Sequence, residues 1–333
     1  MVRLLHVGLG ALGRRVLQDF FARGMGTVVA ALDLDPALAG VPLSELVPGA
    51  PDTLLVTADL EAAARESVDA CLVTTRSDVE GCADTFRTLL GRGHTIVSSC
   101  EELLWPWLRN PILAQELHER AVRGRGRLLG TGVNPGWLMD ALPVAASSVC
   151  TRVDSIEIER IQDATPRRLQ FQSKIGATLD LETFRAREKD GSLRHVGLLE
   201  SLHFVAHYLD LGLASWDETL EPVIADRALE CGLGPVRVGD AAGVRQVAEG
   251  RNGAGEVVAR LVFQAAIGQP DPHDSVRITG EPPIDLVLRG GVHGDVATSA
   301  MLLNTIAPLR TVEPGLHTMA SIPPAPCRRP ARR

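Results

Sequence analysis

The chain has 333 residues, 45% of them hydrophobic and 23% charged. That length suits about two domains of roughly 150 residues each, and the composition excludes wholesale disorder. The 34 basic and 41 acidic side chains leave a net charge of −7, with no basic surplus for nucleic acid. No apolar run reaches the 18 or more residues of a membrane span, and the start of the chain lacks the small-residue cleavage site of a signal peptide. The six cysteines are spread along the chain without C-x-x-C spacing, so neither a disulfide framework nor a zinc site is expected. These features predict a cytoplasmic protein whose partners include neither nucleic acid nor a membrane.

In chain order, Arg3 to Val7 is an apolar strand, and Gly8 to Gly13 a turn. Leu12, Val16, Leu17, Phe20 and Phe21 then recur at helical spacing, and Val28 to Leu32 is a continuously apolar strand. A Pro-rich loop follows, with a short helix at Ser44 to Val47. The alternation then resumes with strands at Leu54 to Thr57, Ala70 to Thr74, Thr95 to Ser99 and Arg127 to Thr131. The intervening helices are at Leu60 to Glu66, Val79 to Leu90 and Asn110 to Arg123. Such alternation predicts an open parallel sheet with helices on both faces. After Pro143 the texture changes: Ser155 to Gln162, Glu256 to Ala266, Ser275 to Thr279 and Ile284 to Leu288 alternate with period two, as in a mixed or antiparallel sheet with one wet face. Helical patterns cover Val196 to Leu211 and Val296 to Ile306.

The fold expected is therefore α/β. A Rossmann dinucleotide-binding domain spans 1–143, and an α/β substrate and dimerisation domain spans 144–295. A C-terminal helical segment, 296–322, packs back on the first domain, and a Pro- and Arg-rich tail, 323–333, is disordered.

Four clusters carry chemistry. Gly8-Leu9-Gly10-Ala11-Leu12-Gly13 follows a strand, opens a helix and has Asp33 twenty residues further on, at the end of the next strand. This is the full context of a dinucleotide site. Gly8 permits the tight turn, Gly10 lets the backbone approach a pyrophosphate, and Gly13 allows close packing of helix on strand. The anion lies at the helix N-terminus, where free N–H groups and the dipole favour it. Asp33 accepts from ribose hydroxyls and repels a 2′-phosphate, which predicts NAD over NADP. Arg14 and Arg15 are close enough to keep NADP open. Gly8, Gly10, Ala11, Leu12, Gly13, Asp33, Thr74 and Thr75 are the candidate cofactor-binding residues. A glycine turn in a sheet protein that binds no nucleotide is the plain alternative.

Ser98-Ser99-Cys100-Glu101-Glu102-Leu103 lies past the carboxyl end of a strand, where ligands bind in open α/β sheets. A carboxylate there can shuttle protons. Both glutamates equally suit the acidic first turn of a helix. Gly130-Thr131-Gly132-Val133-Asn134-Pro135-Gly136-Trp137 forces an irregular backbone at the domain crevice, or is a plain linker. Arg160, Asp163, Arg167, Arg168, Lys174 and His195 offer cations that can hold a substrate carboxylate, or form a solvated face. His203 and His207 are spaced i, i+4, but position 204 is Phe; they lack the H-E-x-x-H pattern and read as structural. No metal site is expected.

The chain resembles the 2,4-diaminopentanoate dehydrogenases and related native amine dehydrogenases. The resemblance rests on Gly130 to Pro143, Ser99 to Leu103, Arg160 to Gly176, His195 to Leu198, His293 to Asp295 and Ala297 to Pro308, and covers about residues 3 to 320. The layout is more distantly similar to dihydrodipicolinate reductase. The resemblance implies NAD or NADP as cofactor and a homodimer built through the second domain's sheet. It implies reversible oxidative deamination of an amine outside any α-amino acid, giving a ketone or aldehyde and ammonia. Glu102 first, and Glu101 second, is the implied proton handler. Asn134 lies beside the nicotinamide, and Trp137, Arg160, Lys174 and His195 line the substrate cleft. Trp137 stands where Phe is expected in the diaminopentanoate enzymes, and Arg168 to Ser173 departs from the pattern, so the native substrate stays open. The alternatives are reduction of a cyclic imine or enamine, and a non-catalytic NAD-binding sensor.

Overall fold

The computed structural model describes residues 1–193 and 195–327. Of the tail expected at 323–333, residues 328–333 lie outside the described residues. The first half runs β1 (Val2–Val7), α1 (Ala11–Ala22), β2 (Gly26–Leu32), α2 (Leu43–Leu46), β3 (Val56–Thr57), α3 (Leu60–Ala63), β4 (Ala70–Val73), α4 (Val79–Gly91), β5 (Thr95–Ser98), α5 (Pro111–Gly124) and β6 (Arg127–Gly130). Next come α6 (Ala141–Ala146), β7 (Arg152–Asp163), α7 (Leu169–Lys174), α8 (Leu181–Lys189), α9 (Leu198–Tyr208), β8 (Leu213–Ile224), β9 (Leu229–Cys231) and β10 (Gly234–Val236). The chain ends with β11 (Ala241–Asn252), β12 (Val257–Ala266), β13 (His273–Glu281), β14 (Ile284–Arg289), α10 (Gly294–Asn304), α11 (Ile306–Leu309) and β15 (Gly315–His317). Two compact units result: Met1–Trp137 with the segment from His293 on, and Leu138–Val292.

The first unit is a parallel sheet in the order β15-β6-β5-β4-β1-β2-β3. Strands β4 and β5 are buried along their whole length, as continuous apolar runs covered on both faces must be. The chain moves outward from β1 through β2 and β3, then resumes at β4 on the other side of β1. The carboxyl ends of β1 and β4 are therefore the switch point, where such sheets bind ligands. Helix α1 buries Val16, Leu17 and Phe20 and is joined by α10, where Ser299 Oγ donates to Asp19 (2.6 Å) and Arg23 donates to Asn304 (2.7 Å). Beyond α11 the chain adds β15 beside β6, with Arg127 Nε donating to the Val312 carbonyl (2.6 Å). Its three residues carry no period legible in the sequence.

The second unit is a mixed sheet in the order β14-β13-β7-β12-β11-β8, in which β7 and β12 are parallel and the other pairs antiparallel. Period two puts Ile156, Ile158, Arg160 and Gln162 of β7 on one face. Leu261 and Phe263 of β12 and Val276 and Asp274 of β13 lie beside them. Helix α9 packs on β8, β11 and β12. The other face carries charge rows: Arg260 bridges Glu157 (2.7 Å) and Glu249 (3.2 Å), and Arg277 reaches Glu157 (3.0 Å). Among the described residues, no helix is long and apolar enough to cross a membrane.

Candidate active site

The first unit builds its site at the switch point. Strand β1 ends in a turn at Gly8, whose φ of +98° only glycine adopts without strain. The Gly8 N–H donates to the Leu32 carbonyl (2.8 Å). Its carbonyl points inward and accepts from Thr74 Oγ1 and from the His6 ring, both at 2.9 Å. Gly13 lies flat on this arrangement; a Cβ there would overlap the Gly8 carbonyl oxygen and stand 2.7 Å from Thr74 Oγ1. Gly10 differs: a Cβ on it would meet nothing within 4 Å among the described residues. Gly10 heads α1 without a side-chain cap, so the first N–H groups, from exposed Ala11 and half-buried Leu12 onward, face open space.

Asp33 closes the loop from β2. One carboxylate oxygen accepts from the Leu9 N–H (2.6 Å), the other from the Asp35 N–H (2.9 Å), and each keeps a lone pair for a hydroxyl. Arg14 donates to the Leu9 carbonyl (2.7 Å), and Arg15 pairs with Asp19 (2.9 Å). Thr75 packs its methyl against Gly8 and places Oγ1 3.5 Å from the Cys82 sulfur.

The two glutamates have different environments. Ser98 Oγ donates to the Val73 carbonyl (3.0 Å) and accepts from the Cys100 N–H (3.1 Å), holding the chain as it leaves β5 for a 3₁₀ turn at Glu101–Leu104. The Glu102 side chain turns inward. One oxygen accepts from the Val79 N–H (3.1 Å), which is the first residue of α4, and the other is 3.7 Å from Arg109 Nε. It therefore serves a helix N-terminus, a role favourable for a carboxylate. Glu101 is half-buried and makes no side-chain hydrogen bond or ion pair among the described residues. The resemblance ranks Glu102 before Glu101, but the Val79 and Arg109 contacts engage Glu102 and set the two apart the other way.

The glycine-rich segment after β6 is anchored by Val133 N–H to Thr298 Oγ1 (3.2 Å) and Thr131 Oγ1 to Met319 Sδ (3.1 Å). The Asn134–Pro135 peptide is cis. Both polar atoms of the Asn134 carboxamide are buried without a hydrogen-bond partner among the described residues. An amide left so costs on the order of 1–3 kcal/mol, which a ligand that bonds it would recover. Trp137 closes the unit, half-buried.

In the second unit Arg160 is 2% exposed and already engaged. It meets Asp274 at 3.0 Å and donates to the Val292 carbonyl at 3.0 Å, where Gln162 also donates (3.2 Å). Burial lowers the Arg160 pKa to about 10, so it stays charged at neutral pH. His195 stacks on Phe263 (4.5 Å between ring centres), and its backbone is clasped by Gln246, which accepts from the His195 N–H (2.8 Å) and donates to its carbonyl (3.1 Å). Burial, with the charges of Lys174 and Arg160 adding, lowers its pKa to about 3, and its buried Nε2 has no hydrogen-bond partner among the described residues. Lys174 is exposed at the end of α7. Arg167 lies over the Phe171 ring at 4.2 Å and donates to Gln162 (3.2 Å). His203 meets Trp216 edge-on at 4.3 Å, and His207 meets Tyr208 at 5.1 Å.

The structure thus brings Gly8, Gly13 and Thr74 into one cluster with Asp33 beside it, and His195 into reach of the Lys174 and Arg160 charges. His6, Asp274, Gln162, Gln246 and Phe263 were not singled out from sequence. Strand parity flags Asp274, which shares the register of buried Val276 and Ile278.

Comparison with known proteins agrees with this architecture. The chain is 27% identical over 335 residues to the 2,4-diaminopentanoate dehydrogenase of Acetoanaerobium sticklandii, covering 97% of this chain and 93% of that protein. It is 25% identical over 361 residues to the amine dehydrogenase of Streptomyces virginiae, covering 98% and 97%. Among solved structures, an amine dehydrogenase from Mycobacterium smegmatis shares the fold with a TM-score of 0.84 at 20% identity, covering 98% of this chain and 97% of that one. Residues 137–329, more than half of the chain, match the family described as the 2,4-diaminopentanoate dehydrogenase C-terminal domain, and the protein belongs to that family.

Proposed function

We propose that the protein is an NAD(P)-dependent amine dehydrogenase that interconverts an amine outside any α-amino acid with a ketone or aldehyde and ammonia. The observation that carries this reading is the half-buried Glu101 carboxylate, without a hydrogen bond or ion pair among the described residues, just past β5 in a unit built as a dinucleotide fold. The relatives' dehydrogenase activity supports it. The residues present fit a dinucleotide: Gly10 is open where a pyrophosphate approaches, Asp33 keeps lone pairs for ribose hydroxyls, and the buried Asn134 amide has no hydrogen-bond partner among the described residues. When bound, the nicotinamide supplies a hydride acceptor for deamination, or a donor for the reverse. Glu101 takes a proton from the substrate ammonium, which frees the nitrogen lone pair; after hydride loss, water adds to the resulting iminium and supplies the carbonyl oxygen as ammonia leaves, and in the reverse direction Glu101 returns the proton. Glu102, engaged with Val79 and Arg109, holds the 3₁₀ turn that carries Glu101. Asp33 favours NAD, and the engagement of Arg14 and Arg15 with Leu9 and Asp19 supports that preference.

The test is NADH consumption with ammonium at alkaline pH over a panel of ketones, aldehydes and keto acids, repeated with NADPH. Ammonia-dependent turnover, faster with NADH, is expected. Glu101→Gln lowers kcat by about 10²–10⁴-fold and leaves the NADH Kd unchanged, whereas Glu102→Gln chiefly lowers Tm. Near wild-type turnover in both variants removes the proton-handling role. Turnover of a cyclic imine without ammonia favours the reductase alternative, and NADH binding without any turnover favours the sensor.

A homodimer through the charged face of the mixed sheet belongs to the same proposal. The partly exposed Glu157, Arg260 and Glu249 row supports that surface. Light scattering at micromolar concentration is expected to give twice the chain mass; the mass of one chain would reject the dimer.

A further inference from the structure

We propose that His6 is a positioning residue for dinucleotide binding, acting by pinning the first peptide of the glycine turn. The inference rests on the dinucleotide reading above and assigns a task to a side chain that reading does not use.

Strand β1 is otherwise built for the core: Leu4, Leu5 and Val7 are at most 2% exposed. An imidazole in the same run, 0% exposed, is costly to bury, and since its Nδ1 has no hydrogen-bond partner among the described residues, Nε2 carries all of its bonding. Nε2 lies 2.9 Å from the Gly8 carbonyl and 3.2 Å from Thr74 Oγ1. The carbonyl can only accept, so Nε2 carries the proton. Thr74 Oγ1 donates to the same carbonyl (2.9 Å). Two donors thus hold that oxygen inward. The N–H of the same peptide belongs to Leu9 and donates to Asp33 (2.6 Å). One peptide plane is thereby fixed at both ends, by His6 and Thr74 on one side and by the candidate ribose acceptor on the other. Gly13 closes the cluster, since a Cβ there would stand 2.8 Å from His6 Nε2. The orientation of the loop and the start of α1 both follow from this plane. Burial lowers the His6 pKa to about 4, so the ring is a neutral single donor at neutral pH.

The test compares His6→Gln, which keeps an N–H donor near the Nε2 position, with His6→Met, which removes it at similar length. NADH Kd is read by fluorescence titration, and hydrogen exchange of the loop amides is read on the cofactor-free protein. His6→Met is expected to raise Kd about tenfold and speed loop exchange about tenfold, with kcat at saturating NADH within about twofold of wild type. His6→Gln is expected to restore both readouts to within about threefold. Wild-type Kd and exchange in His6→Met, or a Gln variant as impaired as Met, overturns the proposal. If His6→Met does not fold, Thr74→Val and Thr74→Ser ask the same of the second donor to that carbonyl. Weak binding and fast exchange in Val but not Ser support the pinning, and equal behaviour overturns it. A wild-type protein that binds neither NADH nor NADPH removes the dinucleotide reading, and the exchange data then decide separately whether His6 holds the loop.

Discussion

Gly13→Ala is expected to abolish folding of the Rossmann unit, whereas Gly10→Ala is expected to fold normally and lose its dinucleotide affinity. At position 13 the added methyl overlaps the Gly8 carbonyl oxygen and stands 2.7 Å from Thr74 Oγ1 and 2.8 Å from His6 Nε2. That carbonyl cannot swing aside without breaking its bonds to His6 and Thr74. Helix α1 must instead lift from β1, where it buries Val16, Leu17 and Phe20. Losing that burial costs about 1.5–3 kcal/mol per side chain, beyond the usual range for one extra methyl in a core. The expected result is little soluble protein and no cooperative transition for this unit. At position 10 the φ of −64° suits any L residue, and no atom of the described residues lies within 4 Å of the new Cβ. Stability should hold or rise slightly, as the unfolded chain loses freedom. The methyl nevertheless enters the space a pyrophosphate needs, so NADH Kd should rise by about 30-fold or more. Calorimetric melting and NADH titration check both. A Gly10→Ala variant with wild-type affinity would reject the loop as a phosphate cradle, and a Gly13→Ala variant with wild-type melting would reject the packing argument.

This contrast also marks what the sequence could and could not convey. The order of β1, α1 and β2, the runs of β4 and β5, and the spacing from Gly8 to Asp33 are local patterns, and each appears in the structure within a few residues of its expected bounds. Strands β8 and β11 have no such signature. β8 carries Asp217, Glu218, Glu221 and Pro222, and β11 carries Gly243 and Gly250, all poor strand residues by composition. They form because they pair along almost their whole length, and Pro and acidic residues are tolerated because β8 is an edge. The site divides in the same way. Gly8, Gly10, Gly13 and Asp33 follow from spacing. The distinction between Glu101 and Glu102 depends on the Val79 N–H and on Arg109, and that of His6 on a carbonyl two residues away in a turn. Those are facts of packing, absent from any one stretch of sequence.

Asp274→Asn is expected to lower the stability of the second unit by about 3–5 kcal/mol, far more than its effect on NADH binding. Arg160 and Asp274 are each about 2% exposed and meet at 3.0 Å across adjacent strands, in a register that also places Ile158 beside Val276. Burial works against both charges: it lowers the Arg160 pKa to about 10 and raises that of Asp274, which the neighbouring guanidinium opposes. Asp274 also accepts from the Val292 N–H at 2.7 Å, while Arg160 donates to the Val292 carbonyl, so the pair clamps the last residue of the unit. Replacing the carboxylate with an amide leaves a buried cation without its anion, and that uncompensated charge, more than the lost bond, sets the size of the effect. At about 2–4 °C per kcal/mol for a unit of this size, Tm should fall by roughly 10 °C. The double variant Arg160→Met with Asp274→Leu removes both charges and should recover most of the loss, since well-packed apolar replacements of buried pairs are often neutral. A loss below about 1 kcal/mol in Asp274→Asn, or no recovery in the double variant, would mean that the pair does not hold the unit together. The same pair of variants weighs Arg160 as a substrate ligand. If its work is confined to Asp274 and Val292, the double variant keeps the wild-type preference between keto acids and ketones; if the guanidinium also holds a carboxylate, KM for keto acids rises selectively while KM for ketones does not.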